Sequence, residues 1–115
     1  ALAGFDLGQS VAICDRACVA LEAMEGTDAM LRRAASLVNG RSLTLVKVAR
    51  RRRHLLFDVP VAGTQTVAVM QETGTTALAV EAGRTLLLDR EEMLARAEEA
   101  GIAVAGFPPG DGAPV

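Results

Sequence analysis

Residues 21 to 34, LEAMEGTDAMLRRA, mark the point where the sequence changes from a strand-like to a helix-like pattern. Before them the apolar residues alternate as in a β-strand, and after Gly26 they recur with the spacing of one helical face. Thr27 and Asp28 are both suitable caps for a helix that we expect to run to about Val38. The stretch therefore predicts a strand followed by a helix, with carboxylates at the junction.

Two apolar segments upstream, residues 9 to 15 and 17 to 23, meet at Asp15-Arg16 and predict a β-hairpin. Further along, the patterns predict a buried strand, a long arginine-rich loop, a helix, two strands, a helix and a last strand; these segments are 42–49, 50–62, 63–73, 76–81, 84–89, 90–101 and 102–107. We therefore expect one α/β domain, whose mixed sheet opens with a hairpin and carries about three helices packed on it.

Several side chains are expected to be buried in this domain. Cys14 and Cys18 are interpreted as small buried residues on either side of the hairpin turn. In the first two helices we expect these residues to face the core: Ala29, Met30, Ala34, Leu37, Val38, Val67, Val69 and Met70.

The composition excludes several classes of function. Three Phe and no Trp or Tyr leave few aromatic rings for stacking on nucleic-acid bases, and the net charge of −2 is too balanced for a protein that binds phosphate backbones. One His and two Cys cannot form a tetrahedral zinc site. No apolar run approaches the roughly 20 residues that cross a bilayer. With too few cysteines for a disulfide framework, we expect a cytoplasmic protein.

The junction at Gly26 is a candidate phosphate site. Free N–H groups at a helix start attract anions, and a glycine lets the backbone of Gly26 and Thr27 approach a phosphate closely. The carboxylates of Glu25 and Asp28 would repel that phosphate unless a divalent cation lay between them, and Mg²⁺ takes such oxygen ligands. The alternative is that Thr27 and Asp28 only cap the helix while Glu25 is solvated.

Three more charged residues are candidates. Asp58 lies among apolar neighbours, so it is either a charged ligand in a metal site or a turn aspartate before a proline. Lys47 ends a strand that looks buried and would hold phosphate charge there, unless it is a lysine that snorkels at a sheet edge. Glu81 also ends a strand and is a weaker candidate for binding substrate. The arginine run 50–53 is either a solvated loop or a contact for an anionic group.

The blocks GFDLGQSVAICD, EAMEGTDAMLRRA, LVKVA, FDVP, AVEAGRTLLLDREEM and AEEAGIAVAGF together resemble the carboxyl-terminal domain of the UDP-2,3-diacylglucosamine pyrophosphatases of the LpxI type. The resemblance implies that residues 1–107 form this domain. The composition of 108–115, rich in proline and glycine, predicts a disordered tail. The resemblance also implies an amino-terminal, Rossmann-like domain outside this chain, with the substrate where the two domains meet. The implied reaction is hydrolysis of UDP-2,3-diacylglucosamine to UMP and 2,3-diacylglucosamine 1-phosphate in lipid A biosynthesis, assisted by magnesium.

The resemblance also assigns residues. The aspartate of the family's FDxP motif falls on Asp58, which would bind metal or orient water, and the family's strand lysine falls on Lys47. The EGTD block falls on Glu25 to Asp28, whose two carboxylates receive no separate roles. Two departures are evident: Arg16 stands where the family hairpin commonly has glycine, and the segment after Lys47 lacks the usual Lys-Pro-Gly turn.

Two hypotheses of function follow. The first is an enzyme domain, inactive or nearly so when isolated, that acts in a metal-dependent diphosphate hydrolase. The second is a non-catalytic module that dimerises or docks a ligand or partner. An alanine-rich core with exposed apolar edges would suit a homodimer.

Overall fold

The structure, a computed structural model, describes residues 9–22, 25–51, 57–58 and 60–108, with the backbone alone at positions 50, 51, 57 and 58. Almost all of the predicted tail, 109–115, and the middle of the predicted loop, 52–56, lie outside the described residues. The helices are α1 (Thr27–Val38), α2 (Thr64–Thr73) and α3 (Arg90–Glu99). The strands are β1 (Gln9–Cys14), β2 (Ala17–Leu21), β3 (Leu43–Val48), β4 (Arg50–Arg51), β5 (Phe57–Asp58), β6 (Val61–Ala62), β7 (Thr75–Glu81), β8 (Leu86–Leu87) and β9 (Ala103–Phe107).

The main sheet has five strands in the order β2-β1-β3-β7-β9. β1 pairs antiparallel with both β2 and β3, whereas β3, β7 and β9 are parallel. α2 connects β3 to β7 and α3 connects β7 to β9, as parallel strands require a crossover. The predicted mixed sheet, opened by a hairpin and packed with three helices, is confirmed.

The hairpin turn is built from two residues in the left-handed region. Asp15 has φ 50° and Arg16 has φ 69°, the combination that matches the twist of a two-residue hairpin. Cys14 is buried, but Cys18 is exposed, so the prediction that both are buried is wrong for Cys18. The reason is that β2 forms the edge of the sheet and exposes most of its residues.

The start of α1 differs from the sequence prediction. Gly26 is the N-cap, with φ 90° and ψ 162°, and no side chain caps the helix. Thr27 and Asp28 already belong to the first turn, so the prediction that they cap it is wrong. Glycine reaches this backbone conformation without a steric penalty, and it turns the chain from β2 into the helix.

The core lies between the sheet and the helices. In α1 the buried side chains are Met30, Leu31, Ala34 and Val38, while Leu37, predicted to be buried, is 57% exposed. The buried stripe of α1 is thus rotated toward Leu31. In α2 the three predicted core residues are all buried. No helix among the described residues is long and apolar enough to cross a bilayer.

The segment predicted as a loop contains short paired strands. β4 and β5 pair antiparallel, with Arg50 opposite Asp58, and β6 pairs in parallel with β8. β8 is all that forms of the strand predicted at 84–89, and it pairs outside the main sheet. Elements of two residues carry no readable hydrophobic period, which is why the sequence pattern missed them.

Candidate active site

The register of β1 and β3 places two polar residues opposite each other in a buried row. β1 buries Ser10, Ala12 and Cys14, and β3 buries its own alternate positions, ending at Lys47. Ser10 pairs directly with Lys47, whereas the neighbouring pair, Ala12 and Leu45, is apolar. A lysine and a serine therefore close one end of an otherwise apolar row.

Lys47, the single lysine of the chain, is only 6% exposed. Its Nζ donates hydrogen bonds to Ser10 Oγ at 3.1 Å and to Thr27 Oγ1 at 3.0 Å. Because β3 is the central strand and the side chain is buried, the alternative of a lysine at a sheet edge is excluded. Lys47 instead brings the end of β3 into contact with the start of α1.

Hydrogen bonds connect Lys47, Ser10, Thr27 and Glu22 into one group, the Lys47 cluster. Its hydroxyl protons can be assigned from the hydrogen-bond partners. Thr27 donates its one proton to Glu22 Oε1 at 2.7 Å, so the 3.0 Å bond between Thr27 and Ser10 must be donated by Ser10. Both hydroxyls then accept from Lys47, which has three N–H donors. The third donor has no partner among the described residues, and none of their ion pairs includes Lys47.

Burial of the Lys47 ammonium lowers its pKa, and the charges of Glu22 and Asp28 oppose that shift in part. A buried cation that has no carboxylate partner among the described residues is unfavourable. An anion placed against its third N–H would remove much of that cost.

The start of α1 adds further donors beside Lys47. Its first intrahelical bond runs from the Met30 N–H to Gly26 O at 3.1 Å, so the N–H groups of the first three helical residues have no helical acceptor. No side chain caps them. The Lys47 ammonium and these N–H groups together can bind an oxyanion such as a phosphate.

Of the acids expected at this junction, Asp28 follows Thr27 in α1 and is half-buried. Glu25 is exposed, and its carboxylate forms a two-point ion pair with Arg33, with N–O distances of 2.6 and 3.3 Å. Within the described stretches, no three His, Cys, Asp or Glu side chains are grouped as metal ligands. The predicted metal set of Asp58, Asp28 and Glu25 includes Asp58, whose side chain lies outside the description.

Glu81 lies at the carboxyl end of β7, one strand away from Lys47, and is 5% exposed. Its Oε1 accepts a hydrogen bond from the Ala49 N–H at 2.8 Å, and its Oε2 lies 3.4 Å from Arg84 Nη1. A groove of about 520 Å³ opens beside Glu81, between the ends of β7 and β9 and the start of α3. None of the residues that line this groove belongs to the Lys47 cluster.

The structure thus groups Lys47, Gly26, Thr27 and Asp28, and it places Glu81 on the neighbouring strand. Sequence reasoning did not identify Ser10 and Glu22 as partners in the cluster. Ser10 carried a usable signal, because it is a polar residue at a position where β1 alternates toward the core. Glu22 carried none beyond its position near the junction.

Comparison with known proteins identifies the family of this chain. Residues 1–105 match the family described as LpxI C-terminal domain. The UDP-2,3-diacylglucosamine pyrophosphatase LpxI of Caulobacter vibrioides is 37% identical over 111 residues, which cover 90% of this chain and 40% of that protein. The chain thus spans less than half the length of this curated relative. It belongs to the family of LpxI C-terminal domains.

Proposed function

We propose that this chain is the carboxyl-terminal domain of a UDP-2,3-diacylglucosamine pyrophosphatase. The full-length protein would hydrolyse the diphosphate of UDP-2,3-diacylglucosamine to UMP and 2,3-diacylglucosamine 1-phosphate in lipid A biosynthesis. The name of the Caulobacter relative, 37% identical to this chain, supports this assignment. Residues 1–107 would form this domain, and a Rossmann-like amino-terminal domain would complete the site, so that the isolated domain is inactive.

The observation that carries the proposal is the buried Lys47 ammonium, whose third N–H has no partner among the described residues, beside the uncapped start of α1. A diphosphate group is negatively charged, so its oxygens would accept hydrogen bonds from these donors and offset the charge of Lys47. Donors fixed before the reaction stabilise charge that develops in a transition state more effectively than mobile water does. We place the diphosphate against Lys47, with the backbone of Gly26 and Thr27 as further donors.

In the proposed reaction, water attacks one phosphorus of the diphosphate, and the bond from that phosphorus to the bridging oxygen breaks. The bridging oxygen leaves with the other phosphate, and the proton that the attacking water loses passes to solvent. Lys47 would offset the negative charge on the phosphate oxygens. Asp58 would orient the attacking water or bind the metal ion. Its backbone lies in β5, which pairs with β4 just after the end of β3, the strand that carries Lys47.

Magnesium forms part of this proposal. Mg²⁺ is usually held by one or two protein carboxylates together with phosphate oxygens of the substrate, so this chain need not supply three ligands. Asp28 and Asp58 fit this requirement in chemistry. Glu25 fits less well, because it would have to leave the two-point ion pair with Arg33. When bound, the ion would neutralise charge on the phosphates.

The substrate class implies a place in the cell. A lipid with a nucleotide headgroup suggests a cytoplasmic protein that contacts the inner membrane peripherally. The exposed apolar side chains would suit contact with the amino-terminal domain, with a second copy of the chain or with lipid, and the large ones are Leu21, Leu37, Leu86 and Leu88.

Those exposed leucines also favour the second candidate function, a non-catalytic module that dimerises or docks a ligand. Titration of the chain with UDP and Mg²⁺, followed by amide chemical shifts, separates the two. Shifts at Gly26 and Asp58 support the hydrolase. Shifts nowhere in the chain support a module that dimerises or docks a partner.

The direct test uses the full-length protein. Asp58→Ala should reduce Mg²⁺-dependent release of UMP by about 10²- to 10³-fold while the circular dichroism spectrum stays unchanged. Asp15→Ala is the matched control, because Asp15 is an exposed aspartate in the hairpin turn that pairs with Arg41 at the surface. Near-normal turnover in Asp58→Ala would remove Asp58 from the mechanism.

A further inference from the structure

The chain that leaves β3 is held by a side chain rather than by the sheet. The parallel ladder between β3 and β7 ends at the pair of Lys47 and Val80. Two residues past that pair, the Ala49 N–H donates to Glu81 Oε1 at 2.8 Å. Glu81 therefore extends the attachment of this segment to β7 beyond the end of the backbone ladder.

This attachment lies directly before the strand pair that carries Asp58. Ala49 precedes β4, and in β4 Arg50 pairs with Asp58 of β5. In the described part of the chain two residue pairs join β4 and β5, and so short a two-stranded ribbon is not stable without support. The hydrogen bond from the Ala49 N–H to Glu81 supports the β4 end of this ribbon.

The turn after β7 fixes Glu81 itself. Thr85 Oγ1 donates to the Glu81 carbonyl oxygen at 2.9 Å, and the Arg84 N–H donates to the same oxygen at 3.2 Å. On the far side, the Ala82 N–H bonds to the carbonyl of Phe107 at 2.8 Å. The Glu81 carboxylate is thus presented from a backbone that is tied to β9 and to its own turn.

We infer that Glu81 is a positioning residue, whose carboxylate holds Ala49 and thereby sets where the β4–β5 ribbon places Asp58. The inference rests on the proposed function, because it takes Asp58 to be a site residue. It gives Glu81 a role other than the substrate contact expected from the sequence. Both carboxylate oxygens face groups of this chain, namely the Ala49 N–H and the Arg84 guanidinium.

The test compares two substitutions in the full-length protein. Glu81→Ala removes the acceptor for Ala49, and we expect kcat to fall by about 10- to 100-fold with KM changed by less than about twofold. Glu81→Gln keeps a side-chain oxygen at the same distance from the backbone, so kcat should stay within about fivefold of the original value. Glu98→Ala, at an exposed glutamate of α3, is the control and should be neutral.

A contact with substrate or metal would give the opposite pattern. Glu81→Gln would then be as damaging as Glu81→Ala, because both remove the negative charge, and KM for the substrate or the requirement for Mg²⁺ would rise. Either result overturns the inference.

A second readout does not depend on activity. Amide hydrogen exchange of Ala49, measured by NMR, should be at least about tenfold faster in Glu81→Ala and nearly unchanged in Glu81→Gln. Unchanged exchange in Glu81→Ala overturns the inference even if activity falls. If the unmodified full-length protein hydrolyses no UDP-2,3-diacylglucosamine, the proposed function fails, while the exchange of Ala49 still decides whether Glu81 holds the segment.

Discussion

The Nζ of Lys47 lies 3.0 Å from the Thr27 Oγ1, so the buried ammonium at the end of the central strand touches the first residue of α1. The Thr27 hydroxyl donates its hydrogen bond to Glu22, so the Thr27 oxygen can accept a hydrogen bond from Lys47. This contact brings a positive side chain to the positive end of a helix dipole, and the nearby carboxylates of Glu22 and Asp28 offset the effect of burial on Lys47 only in part. We propose that an anion binds at this position, and the proposal can be tested by measuring the properties of Lys47.

The first prediction concerns the pKa of Lys47. Because the chain contains one lysine, a chain labelled with ¹³C at lysine Cε gives a single lysine signal, and its titration reports Lys47 alone. The midpoint should lie below the ordinary 10.5, since burial disfavours the charged form. Adding inorganic phosphate should raise the midpoint, because a bound anion favours the ammonium. Sodium chloride at equal ionic strength is the control, and an equal effect of both salts would contradict a phosphate site at Lys47.

The second prediction concerns stability. Between the lowered pKa of Lys47 and the ordinary 10.5, the unfolded chain binds more protons than the folded chain, so stability rises with pH across that window. Lys47→Met removes the buried charge and should raise the free energy of unfolding by about 1 kcal/mol below the lowered pKa. That gain should shrink as the pH approaches 10.5. Urea unfolding at several pH values measures it, and a gain that grows with pH would contradict the prediction.

The third prediction concerns Ser10. Ser10→Ala removes one of the two hydroxyl acceptors of Lys47 and leaves a buried N–H without a partner, which should cost about 1 to 3 kcal/mol of stability. It should also lower the pKa of Lys47 further. Ser36→Ala is the matched control, because Ser36 is exposed and bonds only to the Arg33 carbonyl one turn earlier. Equal losses in the two variants would show that Ser10 does not support the ammonium.

The sequence predicted the elements whose signals are local. The Asp15-Arg16 turn between two alternating segments sufficed for the hairpin, and the helix expected to run to about Val38 does end at Val38. These signals depend on residues adjacent in the chain, so no knowledge of the tertiary structure was needed. Leu37 was placed on the wrong face, because the period of a single helix does not show which neighbours it will pack against.

The site was only partly predictable, because its decisive contacts join distant residues. The Lys47 partner Ser10 lies 37 residues earlier and is fixed by the antiparallel register of β1 and β3. The pairing of Glu25 with Arg33 depends on how the chain turns at Gly26. The bond from Ala49 to Glu81 connects two strand ends 32 residues apart. Periodicity reports burial, but it does not report which buried polar groups meet.

The fourth prediction separates the two acids of the EGTD block. In the full-length protein, Asp28→Asn should raise the Mg²⁺ concentration that gives half-maximal UMP release more than Glu25→Gln does. The reason is that Glu25 is already bound to Arg33 at two points, whereas Asp28 lies half-buried beside the Lys47 cluster. Arg33→Ala, which removes the two-point ion pair with Glu25, is the control for that pair. A larger effect in Glu25→Gln would make Glu25 the metal ligand.

The fifth prediction concerns the hairpin turn, where Arg16 has φ 69°. A residue with a Cβ is strained in this left-handed region, at a cost of roughly 1 kcal/mol, and glycine is not. Arg16→Gly should therefore raise the free energy of unfolding by about 0.5 to 1 kcal/mol without changing activity in the full-length protein. Arg96→Gly is the control, because Arg96 lies within α3, where glycine should cost about 1 kcal/mol. Urea unfolding of both variants checks the pair, and a destabilised Arg16→Gly would show that the Arg16 side chain contributes more than its backbone strain costs.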